Sequence, residues 1–350
     1  MAYSVRESGA PAVADALVNL WRRNLPAAAA DLDAKLRWFY CDAPSGPARV
    51  MLLHHDESPI GCAGIGVRRF WIESHAAMAP VGLLADLAVD RTHRTAFPAL
   101  TLTRATRDAA RRVAPLHYGF PNASAVALFE RMGYRKLGVM TRWVRILRHA
   151  EYIEREVRNR ALARTAGALM DGLRLLQVMP ARLASLPLRL EKVGTPRRPV
   201  DERFDRLWEV GRHRFGIVAW RGADQLRWRF HDAPERQVEL IALVERHGAA
   251  LRAYAAVERV GSVYHVRDVF GVGLADTGLL LDHLVPVLRQ LGATALSFSF
   301  LGSPQVEEML RAHRFVPRES TRAVVVDARP GEDIPGVEAS YLTDGDEDNL

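Results

Sequence analysis

The chain has 350 residues, 49% hydrophobic and 25% charged, which excludes a wholly disordered or low-complexity protein and suggests two domains. Its two cysteines, Cys41 and Cys62, exclude a disulfide scaffold or an all-cysteine zinc site and fit a reducing compartment. The net charge of +7 is uneven: residues 148–200 carry eleven Lys/Arg against five Asp/Glu, a local +6, and near-neutral flanks argue against a nucleic-acid protein with a broad charged face.

In chain order, the apolar spacing of Ala12–Asn24 and Ala30–Trp38 predicts two helices. Arg49–His54 and Ile60–Val67 predict a hairpin about His55–Pro59, and Gly82–Val89 an apolar strand. Pro98–Val113 predicts a helix with proline in its first turn, followed by a short strand at Leu116–Phe120. Ser124–Arg131 predicts a helix stopped by Gly133, and Tyr134–Leu147 supplies one or two closing strands. The same order returns later: helices near 203–215 and 223–230, a hairpin over 237–259 turning at Gly248, and a strand at Val263–Phe270. A helix at Asp276–Leu291, a strand at Thr294–Phe300, a helix at Pro304–Ala312 and a last strand at Arg322–Asp327 complete it.

The parallel order coincides with an internal repeat. Residues 35–44, KLRWFYCDAP, match residues 225–234, QLRWRFHDAP, at six of ten positions. Residues 120–134 and 300–315 share a second pattern: an aromatic strand end, a small polar turn, an amphipathic helix and an aromatic-led strand. Two matches in one order predict two copies of one fold, each a mixed sheet flanked by helices. Trp38 and Trp228 recur in the repeat and are expected in the core.

Between the copies, Glu151–Leu176 places Ile153, Val157, Leu162, Leu169, Leu173 and Leu176 near one helical stripe, and Pro180, Pro187, Pro196 and Pro199 then interrupt the chain. Residues 148–200 are therefore expected to be a basic, helical and proline-rich linker between domains 1–147 and 201–330. A second reading lays this segment on an anionic membrane surface. Residues 331–350 end in TDGDEDNL and are expected to be a solvated, disordered acidic tail. No apolar run is long enough to span a membrane, and the N-terminal stretch lacks the apolar region of a signal peptide. A cytoplasmic protein, soluble or peripheral at the inner membrane face, is expected.

The stretch most informative about chemistry is 84–105, LADLAVDRTHRTAFPALTLTRA: a strand, a polar turn, then a helix. A helix N-terminus presents unpaired N–H groups and the positive end of a dipole, which suits a phosphate, and Arg94 stands where it would neutralise one. This stretch resembles the GNAT superfamily of acyl-CoA N-acyltransferases, whose fourth strand ends in Val before an Arg/Gln-x-x-Gly-x-Gly/Ala turn that holds the CoA diphosphate. Val89 matches the strand end, Arg94 the first position of the turn and Ala99 the last. Phe97 stands at the middle glycine, and Thr95 at a further position where glycine is common. Asn122, Ala125, Leu128, Phe129, Gly133 and Tyr134 match the superfamily's Asn-x-x-Ala-x-x-Leu-Tyr-x-x-x-Gly-Phe pattern. Phe129 replaces its tyrosine, the residue that protonates the leaving thiolate.

The resemblance covers residues 10–147 directly and 200–328 through the repeat. It implies an α/β fold with mixed sheets, two GNAT-like domains in tandem. It also implies acetyl-CoA or another acyl-CoA as donor, and a small-molecule amine acceptor such as an amino sugar or amino acid of a cell-surface polysaccharide pathway. The donor is expected in the first copy, along the backbone of Leu87, Ala88 and Val89, around Arg94, Thr95, Ala96, Phe97, Pro98 and Ala99, and beside Asn122 and Phe129. Strands Gly82–Val89 and Leu116–Phe120 would splay to admit the pantetheine arm, and main-chain N–H groups would steady the thioester oxygen. The second copy has GVGLADTG at 271–278, with no arginine in the turn, and is expected to be degenerate.

Direct attack of an amine on a thioester needs a base, because the amine arrives protonated. Asp86 is the candidate, with an ion pair to a neighbouring arginine as its structural alternative; Asp268 is its counterpart in the second copy. Tyr118, beside His117, is the candidate replacement for the missing thiolate donor, against simple packing with its hydroxyl at a rim. Asn122 is also placed to cap the next helix. His54, His55 and His93 read as surface residues. The cysteines have no histidine partner at readable spacing, and no metal-binding spacing occurs, so no metal is expected. Two further readings stand beside the acyltransferase. One is a scaffold or sensor that keeps the fold without turnover, to which Phe97 and Phe129 point. The other is a transferase fed by aminoacyl-tRNA or an acyl carrier protein through residues 148–200.

Overall fold

A computed structural model describes residues 3–25, 31–148, 188–234, 237–247 and 250–348. The first copy begins with β1 (Tyr3–Gly9), α1 (Ala14–Asn24) and α2 (Leu32–Lys35), which runs into a π-helical turn at Leu36–Cys41. There follow β2 (Arg49–His55), β3 (Ser58–Ile72), β4 (Ala77–Val89), α3 (Ala96–Val113), β5 (Leu116–Gly119), α4 (Ala123–Arg131), β6 (Arg135–Val139) and β7 (Thr141–Ile146). The second copy holds β8 (Leu188–Val193), α5 (Glu202–Gly211), β9 (Ile217–Ala219) and α6 (Ala223–Leu226), again running into a π-helical turn, Arg227–His231. It continues through β10 (Val238–Glu245), β11 (Leu251–Val260), β12 (Val263–Gly271), α7 (Leu274–Gln290), β13 (Ala295–Gly302), α8 (Pro304–Ala312), β14 (Val316–Arg318), β15 (Ala323–Ala328) and β16 (Ser340–Thr343).

The repeated decapeptides meet each other. The indoles of Trp38 and Trp228 stack at 4.8 Å and 15°. Each also donates its ring N–H to the other's carbonyl oxygen, at 2.7 Å from Trp38 and 2.8 Å from Trp228. Reciprocal contacts of this kind are those of two like units about a pseudo-two-fold axis. Each copy packs its own apolar cluster, one around Trp21, Phe39 and Tyr40, the other around Phe204, Trp208 and Tyr254.

Three expectations from the sequence are corrected. First, the copies exchange their closing strands. β7 pairs antiparallel with β13 of the second copy, and β15 inserts between β5 and β6 of the first. Trp143 of β7 joins the second copy's core, while Val324 and Val326 of β15 join the first copy's. The first lobe is thus not closed by residues 1–147 alone, and the strand at Arg322–Asp327 pairs with the first copy's strands in one continuous 16-stranded sheet. Second, the proline-framed residues 188–193 are a strand, β8, paired with β10. Exposed Arg189 lies between half-buried Leu188 and Leu190, whereas the charged Glu191 is buried, which hides the strand in the sequence. The helical stripe expected at Glu151–Leu176 and the turn at Gly248 lie outside the described residues.

Third, residues 331–348 are not a solvated tail. β16 lies between β9 and β13, and the acidic turn Asp344–Asp346 after it is buried. Arginines from β12, the second π-helical turn and two loops surround it. Arg221 binds Asp346 at 2.8 Å, Arg267 binds Asp344 at 2.8 Å, Arg322 binds Asp344 at 2.6 Å, and Arg229 donates to the Asp344 carbonyl at 3.1 Å. Burial and the neighbouring Arg68 charge push Arg229 down to about 9. A chain segment of opposite charge relieves that arginine cluster, so the acidic run folds where an isolated one would stay solvated.

Candidate active site

The first lobe's cleft begins with a bulge in β4. β3 and β4 pair Cys62 with Ala88 but Gly64 with Ala85, and Asp86 sits at φ +50. An extra residue bends the strand away from its neighbour. β4 and β5 pair in parallel only from Val81 and Leu116 to Leu84 and Gly119. Beyond that point they part around a cavity of about 470 Å³. Its lining includes Lys35, Gly64, Asp86, Leu87, Thr106, Asn122, Phe129 and Asp348.

Asp86 is fixed at the bulge. Its side chain is 3% exposed, with one oxygen 2.6 Å from Lys35 Nζ and the other accepting from the Tyr40 hydroxyl at 2.8 Å. Cys62 donates to the Asp86 carbonyl at 3.6 Å, and Lys35 Nζ lies 5.2 Å from the Trp21 ring centre. Burial, then the Asp86 charge, holds the Tyr40 hydroxyl well above its ordinary pKa, so it remains a donor. Gly64 makes the contact possible: a Cβ there would lie 2.3 Å from the Tyr40 oxygen. Asp86 therefore has the ion pair its structural reading expected, with lysine in place of arginine.

The turn expected to take a diphosphate is held by its own chain. Arg94 Nε donates to the Val89 carbonyl at 2.9 Å and its terminal nitrogen to Asn24 Oδ1 at 3.3 Å. Arg23 pairs with Asp90 at 3.0 Å on the same turn. α3 starts after an extended Thr95 whose side chain does not cap it, so the first-turn amides of Ala96 and Phe97 have no intrahelical partner, while Pro98 has no N–H. Phe97 is 65% exposed and lies edge-on to Tyr3 at 5.8 Å, away from the cavity lining.

Of the expected site residues, Asp86, Leu87, Asn122 and Phe129 line the cavity, whereas Ala88, Val89, Arg94, Thr95, Phe97, Pro98 and Ala99 do not. Asn122 caps α4 through the Ala125 N–H at 3.0 Å and also accepts from Ser124 at 2.7 Å. Phe129 packs edge-to-face on Tyr134 at 5.0 Å. Tyr118 is not brought to this cavity: its buried hydroxyl donates to the Asp346 carbonyl at 2.7 Å. Lys35, Tyr40 and Asp348 were missed in the sequence. The repeat carried a signal for two of them, since Lys35 and Tyr40 stand opposite Gln225 and Phe230 in otherwise matching decapeptides.

The second lobe has the same splay and fills it. β12 and β13 pair from Val263 and Ala295 to Val266 and Phe298, then β16 takes the open side of β13, with Phe300 opposite Thr343 and Gly302 opposite Tyr341. Gly302, at φ +152, allows this approach, because a Cβ there would fall 1.9 Å from the Ser340 carbonyl oxygen. Asp268, 2% exposed, binds Arg221 at 3.1 Å and Thr343 at 2.9 Å and accepts from the Tyr254 hydroxyl. The chain itself thus occupies the space that the cavity occupies in the first lobe.

No family model matches the chain, and no curated protein matches it in sequence. Solved structures do match. A conserved protein of Enterococcus faecalis V583 aligns with 97% of this chain and 74% of its own, at TM-score 0.65 and 9% identity. A GCN5-related N-acetyltransferase from Anabaena variabilis aligns over 92% and 72% at TM-score 0.60 and 11% identity. Another from Kribbella flavida aligns over 98% and 82% at 0.57 and 12%. The fold is that of the GCN5-related N-acetyltransferases. Among the described residues no helix is long and apolar enough to cross a membrane.

Proposed function

We propose that this protein is an N-acyltransferase that moves an acyl group from acetyl-CoA or a related acyl-CoA to a small amine, with the donor in the first lobe. One observation supports this above the others: the same strand splay occurs in both lobes, and it opens onto a cavity at the β4 bulge of the first while β16 fills it in the second. Bulges re-aim backbone groups at sites, and here the main chain of Leu87 to Val89 would bond the pantetheine arm. Main-chain N–H groups near the bulge would hold the thioester oxygen as negative charge develops on it. The α3 N-terminus and its amides would take the diphosphate, and Arg94 would shape that turn from the Val89 carbonyl. The second lobe is then a degenerate copy that supports the first.

The acceptor follows from the resemblance: an amino sugar or amino acid, small enough to share the cavity with the thioester. An acyl-CoA donor places the reaction in the cytoplasm. Isothermal titration with CoA is expected to give micromolar binding, weakened at least tenfold by Arg94→Ala and abolished by Ala125→Trp, which fills the cavity. Absence of CoA binding at millimolar concentration would refute the assignment.

A further inference from the structure

Residues 340–348 do more than fill the second lobe. The Asp344–Asp346 turn is fastened to both lobes, to Arg221 through the Asp346 carboxylate at 2.8 Å and to Tyr118 of β5 through the Asp346 carbonyl at 2.7 Å. Two residues further on, Asp348 enters the lining of the first lobe's cavity. Among the described residues, the ionisable side chains of that lining are Lys35, Asp86 and Asp348. Asp86 holds the bulge through an ion pair on one oxygen and a hydroxyl on the other, so protonating it would cost the charge pairing with Lys35. Lys35 is the cation in that pair.

We propose that Asp348 is the general base of the first lobe, supplied by the segment that threads the second. This rests on the cavity being the acyltransferase site. The acceptor arrives as R–NH3+, and the Asp348 carboxylate removes one proton to give R–NH2. The nitrogen lone pair then forms the N–C bond to the thioester carbon while the C–S bond breaks. The amine's second proton ends on the thiolate as CoA–SH, and the proton on Asp348 passes to solvent. The same carboxylate attracts the ammonium group before reaction, which selects cationic amines over neutral hydroxyl acceptors.

The surroundings suit the role. Asp348 is charge-coupled to Asp86 of β4, Lys35 of α2, Tyr40 of the first π-helical turn, Arg68 of β3, Arg229 of the second π-helical turn and its neighbour Glu347. Burial and the Asp86 charge push its carboxyl up to about 6, with Lys35 opposing. A carboxylate in that range is ionised at neutral pH and still accepts a proton readily. The shift is upward, so the active, ionised form is present above pH ~6 and is lost below it.

The test uses the full chain with acetyl-CoA as donor and glucosamine, glycine and spermidine as probe amines. Asp348→Asn is expected to leave CoA binding by isothermal titration within twofold, to lower kcat at least 100-fold, and to abolish the acid limb near pH 6 of the rate profile. Asp348→Glu is expected to recover at least a tenth of the rate. Carboxyl carbon NMR decides independently of turnover: one aspartate is expected to titrate near pH 6 and to vanish in Asp348→Asn. If no aspartate titrates there, or if Asp348→Asn turns over within threefold of wild type, the inference is overturned while the donor site stands. A wild-type protein that binds no CoA overturns both.

Discussion

Replacing Asp327 by Ala probes the strand exchange directly. Asp327 rides on β15 into the other lobe and there receives both arginines of α3. Arg107 reaches its two oxygens at 2.7 and 2.9 Å, and Arg111 does so at 2.9 and 2.9 Å. His117 Nε2 of β5 adds a third contact at 3.2 Å. The arginines are 21% and 26% exposed, so without the carboxylate they turn to water and lose about 1 kcal/mol each. His117 is fully buried and has no such escape, which adds about 1–3 kcal/mol for a stranded polar group. The sum is roughly 3–5 kcal/mol, and for a chain of this size that lowers Tm by about 5–8 °C. Thermal melts followed by both tryptophan fluorescence and circular dichroism should give one shifted transition, because each lobe lacks its closing strand without the other. A shift below about 2 °C, or two separate transitions at different midpoints, would refute the reasoning.

Acid should act through the same residue. The two arginines and His117 hold the Asp327 carboxyl well below the usual carboxylate range. Its contribution is therefore complete above pH ~4 and disappears as pH falls toward the lowered folded value, so Asp327→Asn should flatten the wild-type loss of stability between about pH 4 and 2. Gly302→Ala puts a methyl group against the Ser340 carbonyl and should expel β16; limited proteolysis is expected to cut between residues 330 and 348 in the variant only. Lys35→Met strands the Asp86 carboxylate with one partner and should cost about 3–5 kcal/mol in urea melts, against under 1 kcal/mol for an exposed control such as Arg6→Met.

The fold was legible where periodicity and repetition operate. Two copies of KLRWFYCDAP-like sequence predicted a duplicated architecture, and the structure places both at one stacked tryptophan pair. The strand-to-helix unit around Val89 was readable because an apolar run ends in a polar turn before an amphipathic helix. Partner identity was not readable. β7 and β15 look alike from the chain, each a short apolar strand closing its own copy, and only the assembled sheets show that they trade places. β3 runs to Ile72, past the expected end at Val67, because Arg68 is buried over the Trp228 ring at 4.1 Å instead of facing water. Cation–π stacking on a residue 160 positions away leaves no local trace. TDGDEDNL misled for the same reason: composition reports charge, while the arginines that bury it come from four separate places along the chain. In the cleft, Asp86 was identified from its strand position, but its partners Lys35 and Tyr40 come from a helix some 46–51 residues earlier.

The filled and open splays give the duplication a physical rationale. A strand pair that diverges exposes backbone N–H and C=O groups, and burying them unpaired costs about 1–3 kcal/mol each. Either a ligand or more chain must satisfy them. In the second lobe β16 does so, through ladder bonds to β13 and through Thr343 and Arg221 on Asp268. Binding its own segment frees that lobe from needing a ligand and makes it a rigid support. The same segment gains a fixed exit, because Tyr118 of the first lobe grips the Asp346 carbonyl. Two residues are then enough to carry Asp348 into the open cleft. The segment that fills the second lobe's splay is thereby the one that carries Asp348 to the first lobe's cavity. Loosening β16 should accordingly lower first-lobe turnover even though Gly302 and Ser340 lie outside the cavity lining. If Gly302→Ala detached the segment and first-lobe kcat were unchanged, the two lobes would be coupled in stability alone.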